Sequence, residues 1–203
     1  MNAPTDSVEL ERLQRAERQR AVVTSLAPLL PEHALLYTPE DTVPYECDGL
    51  TAYRERPLLV ALPETYEQVQ AVLKACHALE VPVVARGAGT GLSGGAMPHK
   101  MGVTLSLAKF NKILKMDPVS RTAVVQGGVR NLAISEAAAP LGLYYAPDPS
   151  SQIACTIGGN VAENSGGVHC LKYGLTVHNV VKVRGFTMEG EAVEFGSDAL
   201  DVP

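Results

Sequence analysis

Arg86-Gly87-Ala88-Gly89-Thr90-Gly91-Leu92-Ser93-Gly94-Gly95-Ala96 holds five glycines in eleven residues. It follows the apolar run Val81–Ala85, which reads as a buried strand. Upstream, Leu58–Leu62 is another such run, and Pro63-Glu64-Thr65 opens a helix over about 64–79. Val69, Val72, Leu73 and Cys76 fall on one face of that helix. Strand, helix and strand in close succession predict a βαβ unit with a parallel strand pair and a right-handed crossover. The glycine segment then lies at the carboxyl end of a parallel strand, where α/β sheets bind ligands.

Three chemistries compete for this loop. Gly89-Thr90-Gly91-Leu92-Ser93-Gly94 fits GxGxxG, but a dinucleotide-binding Rossmann unit needs a helix to follow at once. Here Gly95, Pro98 and Gly102 follow, and Val103–Leu107 reads as a strand. Gly91-Leu92-Ser93-Gly94-Gly95 fits GxSxG, yet a nucleophile elbow needs a strand directly before the serine and a helix directly after it. The third reading is an anion nest. Glycines without Cβ atoms let backbone N–H groups converge on a diphosphate, and Arg86 adds positive charge at the strand end.

A second cluster lies downstream. Ala146-Pro147-Asp148-Pro149-Ser150-Ser151 is stiffened by two prolines, and Thr156-Ile157-Gly158-Gly159-Asn160-Val161-Ala162-Glu163-Asn164-Ser165-Gly166-Gly167 follows. Gly158 and Gly159 allow close approach of backbone to a flat ligand. Asn160 and Asn164 are four apart, so a short helix would turn both amides to one side, where they suit a heterocycle edge. His169 and His178 read as hydrogen-bonded structural histidines, and Cys155 and Cys170 as small buried hydrophobes.

The remaining chain frames these clusters. Residues 7–27 read as an amphipathic helix capped by Asp6 and Glu9, with Leu10, Leu13, Ala16, Val23 and Leu26 inward and a solvated charged face. Residues 28–57 are rich in proline and read as an extended linker. Ile113–Met116 and Ala123–Gln126 read as strands joined by a turn at Asp117-Pro118, and a helix is expected over 129–139. Val177–Thr187 and Glu191–Phe195 form an expected hairpin around Met188-Glu189-Gly190. The net charge of −5 argues against a nucleic-acid surface. The four cysteines show no CxxC pair, so no metal site is spelled out, and they read as reduced. No apolar run suits a signal peptide or a membrane span, so the expected location is cytoplasmic.

Together the clusters resemble the FAD-binding domain of the vanillyl-alcohol oxidase and p-cresol methylhydroxylase (PCMH) type. The carriers are Val83 through Gly91 and Ile157 through Gly167. Pro44-Tyr45-Glu46-Cys47-Asp48-Gly49-Leu50, Tyr144 through Ser151 and His169-Cys170-Leu171-Lys172-Tyr173-Gly174 narrow the likeness to the FAD-binding subunits of bacterial glycolate oxidases. The resemblance implies an α/β domain of two subdomains with FAD between them. It assigns the diphosphate to Arg86, Gly87, Ala88, Gly89, Thr90, Gly91, Leu92, Ser93 and Gly94. It places Pro147, Asp148, Thr156, Gly158, Gly159, Asn160, Asn164, Gly166 and Gly167 along the flavin and ribityl side, closed by Tyr173 and Gly174. Thr90 stands where some relatives carry a linking histidine, and Cys155 is one place off a linking cysteine, so non-covalent FAD is expected. The implied reaction is oxidation of a small 2-hydroxy acid, glycolate or D-lactate, by hydride transfer to the flavin. Electrons would pass to iron–sulfur and companion subunits, which would hold the protein peripherally at the inner membrane. The implied organisation is a helix and linker over 1–56 and a FAD-binding domain over 57–203, cut short of its substrate domain and inactive alone. A non-catalytic nucleotide-binding or structural module is the alternative.

Overall fold

The computed structural model describes residues 3–197. The chain is mixed α/β. Helix α1 (Ala3–Leu26) leads into strand β1 (Leu35–Leu36), the single turn α2 (Pro39–Thr42) and β2 (Leu59–Ala61). Helix α3 (Tyr66–Ala78), β3 (Val83–Arg86) and β4 (Val103–Ser106) follow. The sheet order is β1-β2-β4-β3, with β4 parallel to both β2 and β3. The expected βαβ unit is therefore present, but its two strands are not neighbours. β4 fills the slot between them, and all four of its residues are buried. A crossover fixes the hand of a connection and leaves adjacency open, so a fully buried strand can take the slot between the two. β2 is buried throughout as well, which is why both strands read as unbroken apolar runs.

Helix α3 starts as its sequence dictates. Thr65 Oγ1 accepts from Gln68 N at 3.2 Å, and Gln68 Oε1 accepts from Thr65 N at 3.2 Å, a reciprocal capping box. Val69, Val72, Leu73 and Cys76 face the core as expected.

Two N-terminal expectations change. Helix α1 begins at Ala3, so position 6 lies inside the helix and not at its N-cap. Leu10 and Leu13 are exposed, and burial concentrates at Val22 and Leu26. The polar face is engaged as well as solvated. Arg15 donates to the carbonyls of Arg56 and Pro57, Arg18 to those of Leu79 and Glu80, and Gln19 to those of Tyr37 and Leu58. The helix is held by side chains capturing loop carbonyls. The stretch 28–57 is likewise part of the packed structure. β1 pairs antiparallel with β2, and Leu30, Ala34 and Leu35 are buried. Proline marked irregular backbone there, and burial of Leu30, Ala34 and Leu35 makes it structural.

Beyond Phe110 the architecture thins. β5 (Ile113–Asp117) and β6 (Thr122–Val125) form a two-stranded ribbon. Asp117 Oδ1 accepts from Val119 N and Ser120 N to close its turn. Helix α4 (Asn131–Ala138), α5 (Ile157–Glu163) and the turn α6 (Cys170–Tyr173) precede a second ribbon of β7 (Lys182–Phe186) and β8 (Ala192–Gly196). The expected hairpin is shorter than its sequence suggested, because Thr176–Asn179 winds into a 3₁₀ turn. Residues 198–203 lie outside the described residues.

Candidate functional site

β3 ends at Arg86, and no regular element intervenes before β4. The helix that a Rossmann loop or a nucleophile elbow requires is absent between them. Gly89 (φ +70°) and Gly94 (φ +77°) adopt left-handed backbone, which strains any L side chain. The Arg86 guanidinium occupies the space a Gly89 Cβ would need. Its Nη1 donates to Cys47 O at 2.8 Å, and it lies 5.5 Å from the centroid of the Tyr45 ring. Arg86 thus braces the floor of the loop and turns its hydrogen bond toward the 45–47 segment. Gly49 supports the loop from behind, since a Cβ there would come 2.7 Å from Gly91 O. The buried Asp48 accepts from Leu50 N at 2.9 Å and from Ala96 N at 3.4 Å. Ala88, Leu92 and Ser93 are exposed, while Gly87, Thr90 and Gly91 are half-buried.

The second cluster is built around α5. Ile157 N donates to Val129 O and Gly158 N to Gly127 O, so the first amides of this helix are already satisfied. A Cβ at Gly158 would sit 2.9 Å from Gly127 O, and one at Gly87 would overlap the Thr156 hydroxyl. The two clusters therefore meet at Gly87 and Thr156. Thr156 Oγ1 is buried there without a hydrogen-bond partner.

The asparagines do not share one open face. Asn160 is buried, and its Nδ2 donates to Asn131 Oδ1 at 2.9 Å. Asn131 Nδ2 in turn donates to Pro147 O at 3.0 Å. Asn164 takes φ +50° to end the helix, and its Oδ1 accepts from Val177 N at 3.0 Å. Asn160 anchors the proline-stiffened segment, and Asn164 caps the chain reversal.

That segment continues into a cleft of about 390 Å³ whose lining includes Tyr144, Asp148, His169 and Tyr173. Asp148 Oδ2 lies 2.6 Å from His169 Nδ1, and its Oδ1 accepts from His169 N at 3.3 Å. These bonds to His169 hold the Asp148 carboxyl below the usual carboxylate range. A Cβ at Gly167 would overlap Asp148, which explains the glycine. Tyr144 and Tyr173 meet edge-on with ring centroids 6.1 Å apart. Gly174 (φ +78°) lets the chain fold back on His178, whose Nδ1 accepts from Leu175 N at 3.0 Å. Gly166 makes room for Leu175. Cys155 is buried and Cys170 half-buried. Burial pushes the Cys76 thiol up to about 11.

Several residues of this site escape a reading of the sequence. Asp48 and Gly49 lie in a stretch that carries the resemblance, but by residue type they signal only a turn and no bracing of the glycine loop. Gly127, Gly128 and Asn131 lie in a segment otherwise read as strand end and helix. Glu163 lies within the second glycine cluster but its residue type gives no hint of a partner, yet its Oε2 accepts from Ser93 Oγ at 2.7 Å and joins the two clusters.

Glycines that a Cβ would fill, an orphaned hydroxyl at their seam and an aromatic-lined cleft beside it fit a long ligand with a diphosphate and a flat ring. Residues 57–196 match the family described as FAD binding domain. The chain belongs to this FAD-binding family. It is 64% identical over 183 residues to the glycolate oxidase subunit GlcD of Escherichia coli strain K12, covering 90% of this chain and 37% of that protein. It is 38% identical over 175 residues to a D-2-hydroxyglutarate dehydrogenase of Xanthomonas citri pv. viticola, covering 86% of this chain and 37% of that protein. The fold aligns with p-cresol methylhydroxylase at a TM-score of 0.78 and 22% identity, over 88% of this chain and 35% of that structure. The PCMH-type fold expected from the glycine clusters is thus the fold observed. The chain spans little more than a third of the length of these curated relatives. Among the described residues, no helix is long and apolar enough to cross a membrane.

Proposed function

We propose that this chain is the FAD-binding portion of a flavin-dependent 2-hydroxy-acid oxidoreductase acting on glycolate or a similarly small acid such as D-lactate. The observation that carries the reading is the seam where Gly87 meets Thr156, in a chain with 64% identity to a glycolate oxidase subunit. Loop 86–94 holds the diphosphate through backbone N–H groups, and Arg86 and Asp48 keep its shape from behind. The Pro147–Asp148 segment, Thr156, Gly158, Gly159 and Gly166–Gly167 line the flavin side, with Tyr173 and Gly174 at its end. When bound, FAD supplies the acceptor for the hydride leaving the substrate α-carbon.

The chain holds FAD without a covalent bond. Thr90 has no side chain that links a flavin, and the Cys155 sulfur is buried in the protein. Residues 57–203 constitute the FAD-binding domain. An iron–sulfur partner and companion subunits take the electrons, and they hold the protein at the cytoplasmic face of the inner membrane.

FAD titrated into the protein is expected to give a yellow complex whose colour stays in the supernatant after acid precipitation. Colour held in the pellet would overturn the non-covalent assignment. For the activity, the protein is purified with its companion subunits and supplied with glycolate and an artificial electron acceptor. Acceptor reduction is expected, and Gly89→Val in this chain should abolish it. Reduction that survives Gly89→Val would place the flavin elsewhere.

A further inference from the structure

The glycine loop built to attract an anion already has one against it. Glu163 Oε2 accepts from Ser93 Oγ at 2.7 Å. Its Oε1 lies 3.3 Å from where a Gly91 Cβ would stand and 3.1 Å from where a Gly95 Cβ would stand. The carboxylate therefore rests against the part of the loop that glycine leaves open. Its one hydrogen-bond partner among the described residues is the neutral Ser93, and no cation pairs with it there. Helix α5 gives no reason for a negative charge at this place either. Glu163 is its last residue, where unsatisfied carbonyls disfavour a carboxylate.

We propose that Glu163 is an anionic latch on the diphosphate loop. In the ligand-free protein it ties the loop to α5 through Ser93 and so holds the two glycine clusters together. When the cofactor arrives, its charge opposes the diphosphate at the same concavity, so binding is weaker than the loop alone would allow. Glu163 is a positioning residue that sets cofactor affinity and retention. The proposal rests on the reading of loop 86–94 as the diphosphate site.

Glu163→Gln separates the two effects, because it keeps the hydrogen-bonding shape and removes the charge. FAD is titrated into the ligand-free protein and followed by flavin fluorescence. Glu163→Gln is expected to bind about five-fold more tightly than wild type at low salt, the repulsion of unit charges about 4 Å apart in a wet site. The gap should close as salt is raised. Equal or weaker binding by Glu163→Gln at low salt would overturn the charge opposition. Hydrogen exchange of residues 87–96 in the ligand-free protein tests the latch independently of FAD. Exchange should quicken in Glu163→Ala and Ser93→Ala and stay at the wild-type rate in Glu163→Gln. Unchanged exchange in Glu163→Ala would overturn the latch. Failure of wild type and Glu163→Gln alike to bind FAD would overturn the diphosphate assignment and the charge opposition with it, while the exchange experiment still decides the latch.

Discussion

The first glycine cluster uses glycine for backbone conformation, and the second uses it for backbone proximity. In the first, Gly89 and Gly94 are left-handed, and the chain makes an open loop with exposed Ala88, Leu92 and Ser93. In the second, none of Gly158, Gly159, Gly166 and Gly167 has positive φ. Gly158 packs against the Gly127 carbonyl and Gly167 against Asp148. Similar composition therefore serves two ends. One cluster shapes a concavity for a guest, and the other closes the framework around it. Substitutions in the second should damage the fold first, and substitutions in the first should damage binding first.

The sharpest test of that division is Gly158→Val. A Cβ there meets backbone that no rotamer change can relieve. Destabilisation of up to about 3 kcal/mol is expected from such overpacking. Thermal unfolding should show it as a lowered Tm with or without FAD. A Tm equal to wild type would show that Gly127 and Gly158 can part freely, and the framework role would fail.

Asn160→Ala should come next. It removes the donor to Asn131 Oδ1 inside the protein and loosens the Pro147 carbonyl held through Asn131. Leaving a buried acceptor unpaired costs about 2 kcal/mol. Denaturant unfolding of Asn160→Ala and Asn131→Ala, singly and together, would measure it. Strictly additive losses would show that the two amides do not act as one relay.

The core sheet was legible because fully buried strands leave unbroken apolar runs and α3 carries its own capping box. Strand order was not, since the slot between β2 and β3 leaves no trace in local pattern. Residues 28–57 misled for a related reason: proline reports irregular backbone and says nothing of burial, and Ala34 and Leu35 are core. In the site, the glycine density of 86–95 announced a loop with a purpose. The duties of Asn160, Asn164 and Arg86 depend on partners far along the chain, at Asn131, Val177 and Cys47. A residue type names the bonds it can make, and only the fold decides with whom.

Within the first cluster the glycines are unequal, although the repeated pattern treats Gly89 and Gly91 alike. A side chain at Gly89 must take φ +70° and displace the Arg86 guanidinium. That left-handed strain is about 1–2 kcal/mol, and FAD binding should be lost. A Cβ at Gly91 meets only the Glu163 carboxylate, at 3.3 Å. Gly91→Ala should leave the unfolding free energy within about 0.5 kcal/mol of wild type, as surface changes do, and keep measurable FAD affinity. Equal losses in both variants would show that the diphosphate itself approaches Gly91 closely.

The smallest effect is expected at the flavin-side cleft, from Asp148 and His169. Hydrogen bonding to His169 lowers the Asp148 pKa in the folded protein. A lowered folded value means that the stabilisation is complete above the unfolded carboxyl value of about 3.9. It is lost as pH falls through the lowered folded value. His169 is largely solvent-accessible and Asp148 half-buried, so screening at the exposed partner keeps the contribution small. Tm measured from neutral pH down into the acid range should fall more steeply for wild type than for Asp148→Asn below the ordinary carboxyl pKa. The two curves should run parallel above it. His169→Ala should flatten the same acid limb, because the lowered pKa depends first on its hydrogen bond. An acid limb unchanged in both variants would mean that the bond joining these two segments of the cleft contributes nothing to holding them together.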